Sequence, residues 1–135
     1  MMTIEDGDKF WTVKGKLHRI GGPAIEYAHG TKKWVLHDKI HRTDGPAVEQ
    51  ADGTKKWLVN GKYHRVDGPA IEYAHGTKNW FLNGLRHRTD GPAVEFTTGH
   101  KEWWLNAKEL SFDKWLEQNT DMTDEEKVMM KLQYG

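Results

Sequence analysis

Histidine, arginine and aspartate recur together along this sequence, and these residue types could do acid–base chemistry or bind a metal ion. A His-Arg pair stands at 18, 41, 64 and 87, with Asp three residues after each His except the first, where Gly21 stands. Equivalent residues of neighbouring two-stranded repeats lie about 10 Å apart, since strands in a sheet are spaced ~4.8 Å apart. Two imidazoles on one zinc ion must each place a nitrogen ~2 Å from it, which this spacing prevents. We therefore expect no metal and no cofactor, with each His packed against its cross-strand Trp and bonded to the next loop, and with each Arg–Asp pair closing a turn.

The remaining composition argues against an enzyme and against nucleic acid or membrane partners. The chain has no Cys and a single Ser, Ser111, and the phosphate-binding, metalloprotease and serine-hydrolase motifs do not occur. Lys and Arg number 20 and Asp and Glu also number 20, so there is no basic surplus to attract nucleic acid. The sequence has no apolar run of about 18 residues and no leader-like start. The expectation is a non-enzymatic protein of the cytoplasm.

The elements that must position these residues come from an internal repeat. Pro-Ala recurs at the same 23-residue step as His-Arg, and so do five tryptophans: Trp11, Trp34, Trp57, Trp80 and Trp103. A fixed period of this length is typical of stacked supersecondary units. The sequence predicts one domain, 1–135, with a half repeat at 7–17, full repeats at 18–40, 41–63, 64–86 and 87–109, and a helical cap at 111–134.

Each repeat carries two turn signals and therefore predicts two short strands. Asn60-Gly61 is typical of a two-residue hairpin turn, because both turn residues take positive φ. His29-Gly30 marks the second turn in the same way, which would pair Glu26 with Lys33. The predicted fold class is mainly β: a single elongated antiparallel meander with a short C-terminal helical cap.

This register divides the sheet into two faces. Ile25 would lie opposite Trp34, so the Trp column and the apolar positions that hardly differ between copies would form the packed face. Positions that differ between copies escape the demands of stacking and are the better candidates for contact with a partner. The predicted partner-binding residues are Val35, Ile40, Leu58, Tyr63, Phe81, Arg86 and Trp104. The alternative is that these residues form a second, partly buried face.

The C-terminal segment departs from the repeat and predicts two helices. Ser111 is placed to cap the first helix, and Thr123 with Glu126 forms a capping box at the start of the second. The expected apolar sides are Phe112, Trp115 and Leu116 in the first helix and Val128, Met129, Leu132 and Tyr134 in the second. We expect the helices to cover the last repeat, and the alternative is a docking helix for a partner.

The 23-residue unit resembles the MORN repeat, which has a similar length, an N-G-K-x-H-G core and a D-G turn. The resemblance is carried by the segment Trp57-Leu-Val-Asn-Gly-Lys-Tyr-His64. The resemblance covers 7–109, although Arg follows each His where the MORN pattern has Gly. The H-R-x-D-G-P-A variant, with its N-x-K-E-L ending at 106–110, is similar to repeat proteins of tailed bacteriophages and large DNA viruses. The resemblance implies a single-layer antiparallel scaffold without catalytic residues, located in the host cytoplasm if phage-encoded.

These features together predict a non-enzymatic, protein-binding repeat module. The resemblance implies an inhibitor or adaptor acting on a host or defence protein. The alternative is capture of a nucleotide or sugar in the groove of the sheet, where Trp rings and basic side chains would contact the ligand. Pairing of two chains along the N-terminal edge strand would give a homo-oligomer.

Overall fold

Short strands dominate the structure, because a turn interrupts the chain every few residues. The computed structural model describes residues 1–135. The eighteen strands are β1 Met2–Glu5, β2 Asp8–Val13, β3 Lys16–Leu17, β4 Ile25–Glu26, β5 Lys32–Lys33, β6 Val35–Leu36, β7 Lys39–Ile40, β8 Val48–Glu49, β9 Lys55–Lys56, β10 Leu58–Val59, β11 Lys62–Tyr63, β12 Ile71–Glu72, β13 Lys78–Asn79, β14 Phe81–Leu82, β15 Leu85–Arg86, β16 Val94–Glu95, β17 Lys101–Leu105 and β18 Lys108–Leu110. The helices are α1 Phe112–Gln118 and α2 Asp124–Tyr134.

Twelve of these strands form one antiparallel sheet along the whole array. Its order is β1-β2-β4-β5-β8-β9-β12-β13-β16-β17-β18, with β3 paired to β2. The strands β6–β7, β10–β11 and β14–β15 form three separate two-stranded hairpins. The predicted mainly β meander with C-terminal helices is therefore confirmed, and each inner repeat adds a hairpin to the sheet.

The hairpin turns are the two-residue turns that the sequence predicts. Asn60 and Gly61 have φ angles of 50° and 78°, and Leu58 pairs with Tyr63 across the turn. Successive hairpins are joined by backbone hydrogen bonds, since the Gly61 N–H donates to the Ile40 carbonyl at 2.8 Å. The hairpins consequently stack with the same period as the sheet strands.

The sheet turns are one residue longer than predicted. The Tyr27 N–H donates to the Thr31 carbonyl at 2.9 Å, and within this turn only Gly30 has a positive φ, of 112°. This geometry is a three-residue loop that ends in a bulge. Glu26 consequently pairs with Lys32, one residue earlier than predicted, so the predicted register is wrong.

The extra loop residue changes which side chains share a face, so the predicted packed face is wrong for the first four tryptophans but correct for Ile25, Val48, Ile71 and Val94, which are buried. Ile25 lies with Val35 and Ala24 in a buried cluster. The equivalent buried residues in the later repeats are Ala47, Val48, Leu58, Ala70, Ile71, Ala93 and Val94. The core therefore runs between sheet and hairpin residues, and the first four tryptophans of the column lie outside it, half-buried.

Both helices begin where the sequence predicts. The Ser111 side chain accepts a hydrogen bond from the Lys114 N–H at 3.2 Å, and both hydrogen bonds of the Thr123–Glu126 capping box are formed. These caps satisfy N–H groups that a helix start leaves without partners. Neither helix is long and apolar enough to cross a membrane.

The helices cover the last tryptophan of the column, as expected for a cap. Trp103 is the last tryptophan of the column, and no repeat follows that could place an Arg beside it. Its ring packs against those of Phe112, Trp115 and Tyr134, with centroids 4.8, 4.6 and 5.1 Å away. The Trp115 Nε1–H also donates to the Arg88 carbonyl at 2.9 Å. The rings of the cap thus take the place that an Arg side chain has in the preceding repeats.

The predicted apolar side is correct for α1 and wrong for α2. Trp115 and Leu116 are buried in α1, whereas three of the four residues predicted for α2 are exposed: Val128, Met129 and Leu132. Met130 is the buried residue of α2, and Tyr134, one turn later, packs against the same cluster. Contact through Met130 and Tyr134 turns the neighbouring apolar positions towards solvent.

Candidate functional site

Each full repeat places an Arg side chain over the ring of a Trp from the preceding strand. The guanidinium carbon of Arg42 is 4.0 Å from the centroid of the Trp34 ring. The equivalent pairs are Arg19–Trp11, Arg65–Trp57 and Arg88–Trp80, at 3.9, 3.8 and 3.9 Å. Such stacks are stabilised by attraction between the cation and the ring. We expected the cross-strand His to pack against each Trp. Arg and Trp share the same period, so this pair could have been predicted instead.

The same Arg closes the turn that follows it. Arg42 donates from Nε to Asp44 at 2.9 Å, and from Nη1 to the Pro46 carbonyl at 3.0 Å and to Glu49 at 3.2 Å. The hydrogen bond and the charge of Arg42 lower the pKa of Asp44 below its ordinary value. Arg65 and Arg88 repeat all three contacts. The predicted Arg–Asp turn closure is confirmed.

The Gly of each D-G-P turn makes room for this Arg. A Cβ atom added to Gly45 would lie 2.9 Å from the guanidinium carbon of Arg42, and the equivalent glycines show 2.6–2.9 Å. These distances are shorter than carbon–carbon contact allows. Gly at this position is therefore explained by close approach.

The histidines of the four His-Arg pairs hold the hairpin turns. The Nδ1 atom of His41 accepts a hydrogen bond from the Asn60 N–H at 2.9 Å, and His18, His64 and His87 make the equivalent bond at 2.9–3.1 Å. The predicted bond from each His to the next loop is confirmed. No three His, Asp or Glu side chains lie together in a group that could hold a metal ion.

Consecutive H-R-x-D-G turns enclose three grooves beside the Trp column, which we call the turn grooves. The first extends from Arg19 to Asp44, the second from Arg42 to Asp67 and the third from Arg65 to Asp90, with volumes of about 340, 710 and 490 Å³. Each is lined by a Trp and two aliphatic side chains: Trp34 with Ile20 and Leu36, Trp57 with Val59 and Val66, and Trp80 with Val66 and Leu82. Neighbouring grooves share a turn, so the three form one continuous row.

Four of the seven predicted partner-binding residues belong to the core. Val35 and Leu58 are only 2% and 7% exposed, and Ile40 and Tyr63 pack against them. Burial raises the pKa of Tyr63 above its ordinary value. A buried side chain cannot contact a partner, so Val35 and Leu58 fit the alternative interpretation, a partly buried face, and Ile40 and Tyr63 lie half-buried beside them.

The other three predicted residues lie together at the opposite end of the array from β1. Arg86 lies between Phe81 and Trp104, with its guanidinium carbon 5.1 and 4.8 Å from the two ring centroids. The Nε atom of Arg86 is buried and has no hydrogen-bond acceptor in the chain. It borders a cavity of about 450 Å³, which we call the Arg86 cavity and which is also lined by Tyr73, His75, Thr77, Asn79, Val94, Phe96 and Glu102.

The turn grooves and the Arg86 cavity are thus two separate candidate sites. Of the residues that line the second site, the sequence predicted only Arg86, and it singled out the His, Arg and Asp residues of the first site only as structural. No protein-family model matches the chain, and no curated protein matches it, so the resemblance to MORN-like repeats of phage and viral proteins stays a prediction.

Proposed function

We propose that the chain is a non-enzymatic module that binds an extended segment of another protein along the turn grooves. The observation that carries this proposal is the row itself, in which three consecutive grooves repeat one lining of Trp, aliphatic side chains, His, Arg and Asp. Repeats are about 10 Å apart, and three residues in the polyproline II conformation, which make one full turn at ~3.1 Å each, span about 9 Å. Every third side chain of a bound segment would therefore enter a groove.

The lining suits a protein partner. Each groove combines a Trp and aliphatic side chains with charged and polar ones, and Trp and Arg are enriched among the residues that contribute most to binding at protein interfaces. Val66, 85% exposed, stands on the turn that the second and third grooves share. A side chain this exposed can be changed without disturbing the core, which makes it the best position for a test.

Val66→Glu is expected to weaken binding of such a segment about tenfold, or ~1.4 kcal/mol, because it places an unpaired charge at two grooves. Peptides selected on the immobilised chain from a random library provide the ligand, and calorimetric titration gives the dissociation constant. Val128→Glu is the matched control, since it makes the same change on the exposed side of α2, outside the grooves. Failure to select any peptide, or equal weakening by both variants, would contradict the proposal.

A second candidate function is capture of a small anion in the Arg86 cavity, and the buried Nε of Arg86 without an acceptor favours it. The one carboxylate of the cavity, Glu102, is already engaged, since it accepts a hydrogen bond from the Trp104 Nε1–H at 3.0 Å. The Tyr73 and Phe96 rings at the same cavity suit a flat group beside the anion. A nucleotide combines both features.

We expect adenosine monophosphate to raise the thermal unfolding temperature of the chain, while neutral adenosine does not. Ligand at about 100 times its dissociation constant adds ~2.7 kcal/mol of stability. The rise should vanish in Arg86→Met and persist in Lys108→Met, which removes an exposed cation elsewhere. A shift retained by Arg86→Met, or the absence of any shift, would rule out this candidate.

A further inference from the structure

The four arginines that stack on Trp rings form a column of their own, the Arg column. Arg19 is the one member of it that contacts no carboxylate. Its Nη1 donates to the Pro23 carbonyl at 3.1 Å, as the other three arginines donate to their own prolines at 3.0–3.1 Å. Its guanidinium carbon lies 3.9 Å over the Trp11 ring, within the 3.8–4.0 Å range of the column. The guanidinium is therefore held in the same place as its equivalents.

The contacts that Arg19 lacks are those made by two acidic side chains in the other repeats. Arg42, Arg65 and Arg88 donate from Nε to an Asp at 2.8–3.0 Å and from Nη1 to a Glu at 3.2–3.5 Å. Gly21 stands where those repeats have the Asp. Glu26, at the position of the Glu, makes no ion pair with Arg19 within 4.0 Å.

The space on the Nε side of Arg19 is open. A Cβ atom added to Gly21 would meet nothing within 4 Å. This side borders the first turn groove, whose one acidic residue, Asp44, is held by Arg42 at 2.9 Å. The remaining charged and titratable groups that line the groove are Arg42 and His41, which do not compete for Arg19.

We propose that Arg19 binds a carboxylate of the partner, so that an Asp or Glu side chain of the extended segment enters the first turn groove. This inference rests on the proposed function. The three intact repeats show the geometry of the bond, in which a carboxylate oxygen lies about 2.9 Å from Nε, as it does between Arg42 and Asp44. The second and third grooves have no such preference, because Arg65 and Arg88 already hold their own acids.

The expected effect is a preference and not a large affinity. Ion pairs at an accessible surface contribute up to about 1 kcal/mol, which corresponds to roughly a fivefold change in dissociation constant. Peptides selected on the unchanged chain should carry Asp or Glu at one fixed position. Replacement of that residue by its amide should weaken binding by up to about fivefold.

Three variants test the assignment to Arg19. Arg19→Gln and Gly21→Asp should each abolish the discrimination between acid and amide, the first by removing the donor and the second by filling the position from within the chain. The φ of Gly21, 83°, strains any side chain, although Asp adopts positive φ more readily than most residues, so Arg19→Gln is the decisive variant of the two. Asp44→Gly should instead create a second acidic preference, because it gives Arg42 an open Nε side.

The outcomes separate this inference from the proposed function. Suppose that peptides bind and that Val66→Glu weakens their binding. If they show no acidic preference, or if that preference survives in Arg19→Gln, the inference is wrong and the proposed function stands. If no peptide binds, the proposed function fails, and titration with acetate then tests whether Arg19 binds a carboxylate. Under acetate the Nε–H resonance of Arg19 should then shift, while chloride at equal ionic strength leaves it unchanged; a shift would identify a free carboxylate as the ligand, and no shift would overturn the site.

Discussion

Trp115→Ala is expected to lower the free energy of unfolding by about 3–5 kcal/mol, the usual loss when a buried Trp is truncated. Trp115 is completely buried, packs on Trp103 and donates to the Arg88 carbonyl. The substitution therefore leaves both a cavity and an unsatisfied carbonyl beneath the cap. Since small domains are stable by only about 5–15 kcal/mol, the loss is a large part of the total. Urea unfolding followed by circular dichroism measures it.

Two further variants separate the ring from the hydrogen bond and the core from the surface. Trp115→Phe keeps most of the packing and loses only the Nε1–H bond, so its loss should be smaller than that of Trp115→Ala. Leu132→Ala, in the exposed part of α2, should change stability by less than about 0.5 kcal/mol. A large effect of Leu132→Ala would mean that α2 packs through the side predicted from sequence.

Leu58→Ala has the second largest expected effect, a loss of about 2–5 kcal/mol in the free energy of unfolding. Leu58 lies in a buried cluster with Ala47 and Val48, and Ile40 and Tyr63 pack against this cluster. A residue of an exposed binding stripe would instead tolerate truncation. Thermal and urea unfolding of the variant thus test directly whether the face that differs between repeats is core.

Leu85→Ala is the control for this substitution, because Leu85 stands at the turn of the next hairpin and is largely exposed. Its truncation should leave the unfolding midpoint almost unchanged. Equal losses of unfolding free energy in the two variants would mean that Leu58 is no more buried than Leu85. A neutral Leu58→Ala would restore the original assignment of the stripe to the surface.

Local chemistry made part of the fold predictable. The repeat period, the Asn60-Gly61 turn and the caps at Ser111 and Thr123 each depend on residues that are close in sequence. The His-to-loop bond could also be predicted, because the next repeat supplies its partner at a fixed offset. These features need no knowledge of how the chain packs.

The predicted faces failed because two chemically different turns look alike in sequence. Asn60-Gly61 and His29-Gly30 both read as a residue followed by Gly, but positive φ is taken by both residues in the first and by Gly30 alone in the second. A two-residue turn and a three-residue loop with a bulge differ by one residue, and one residue reverses a face. The sites of Val35 and Leu58 were therefore assigned to the wrong environment.

The packed side of α2 could not be read from the sequence for a different reason. Met129 and Met130 are adjacent and equally apolar, so either could face the last repeat. The choice is made by contact with Trp103 and α1, which are distant in sequence from α2. Arg86 was predicted as a partner-contact residue, but its unsatisfied Nε depends on the cavity around it and could not be predicted.

Gly21 has a consequence for how a ligand is aligned on the array. A row of equivalent grooves fixes the direction of a long ligand but not its phase, because a shift by one groove reproduces almost every contact. The Arg19 position breaks this equivalence at one end of the row, since only there does the scaffold lack its own acid. A single missing carboxylate can thus act as the origin from which the other grooves are counted.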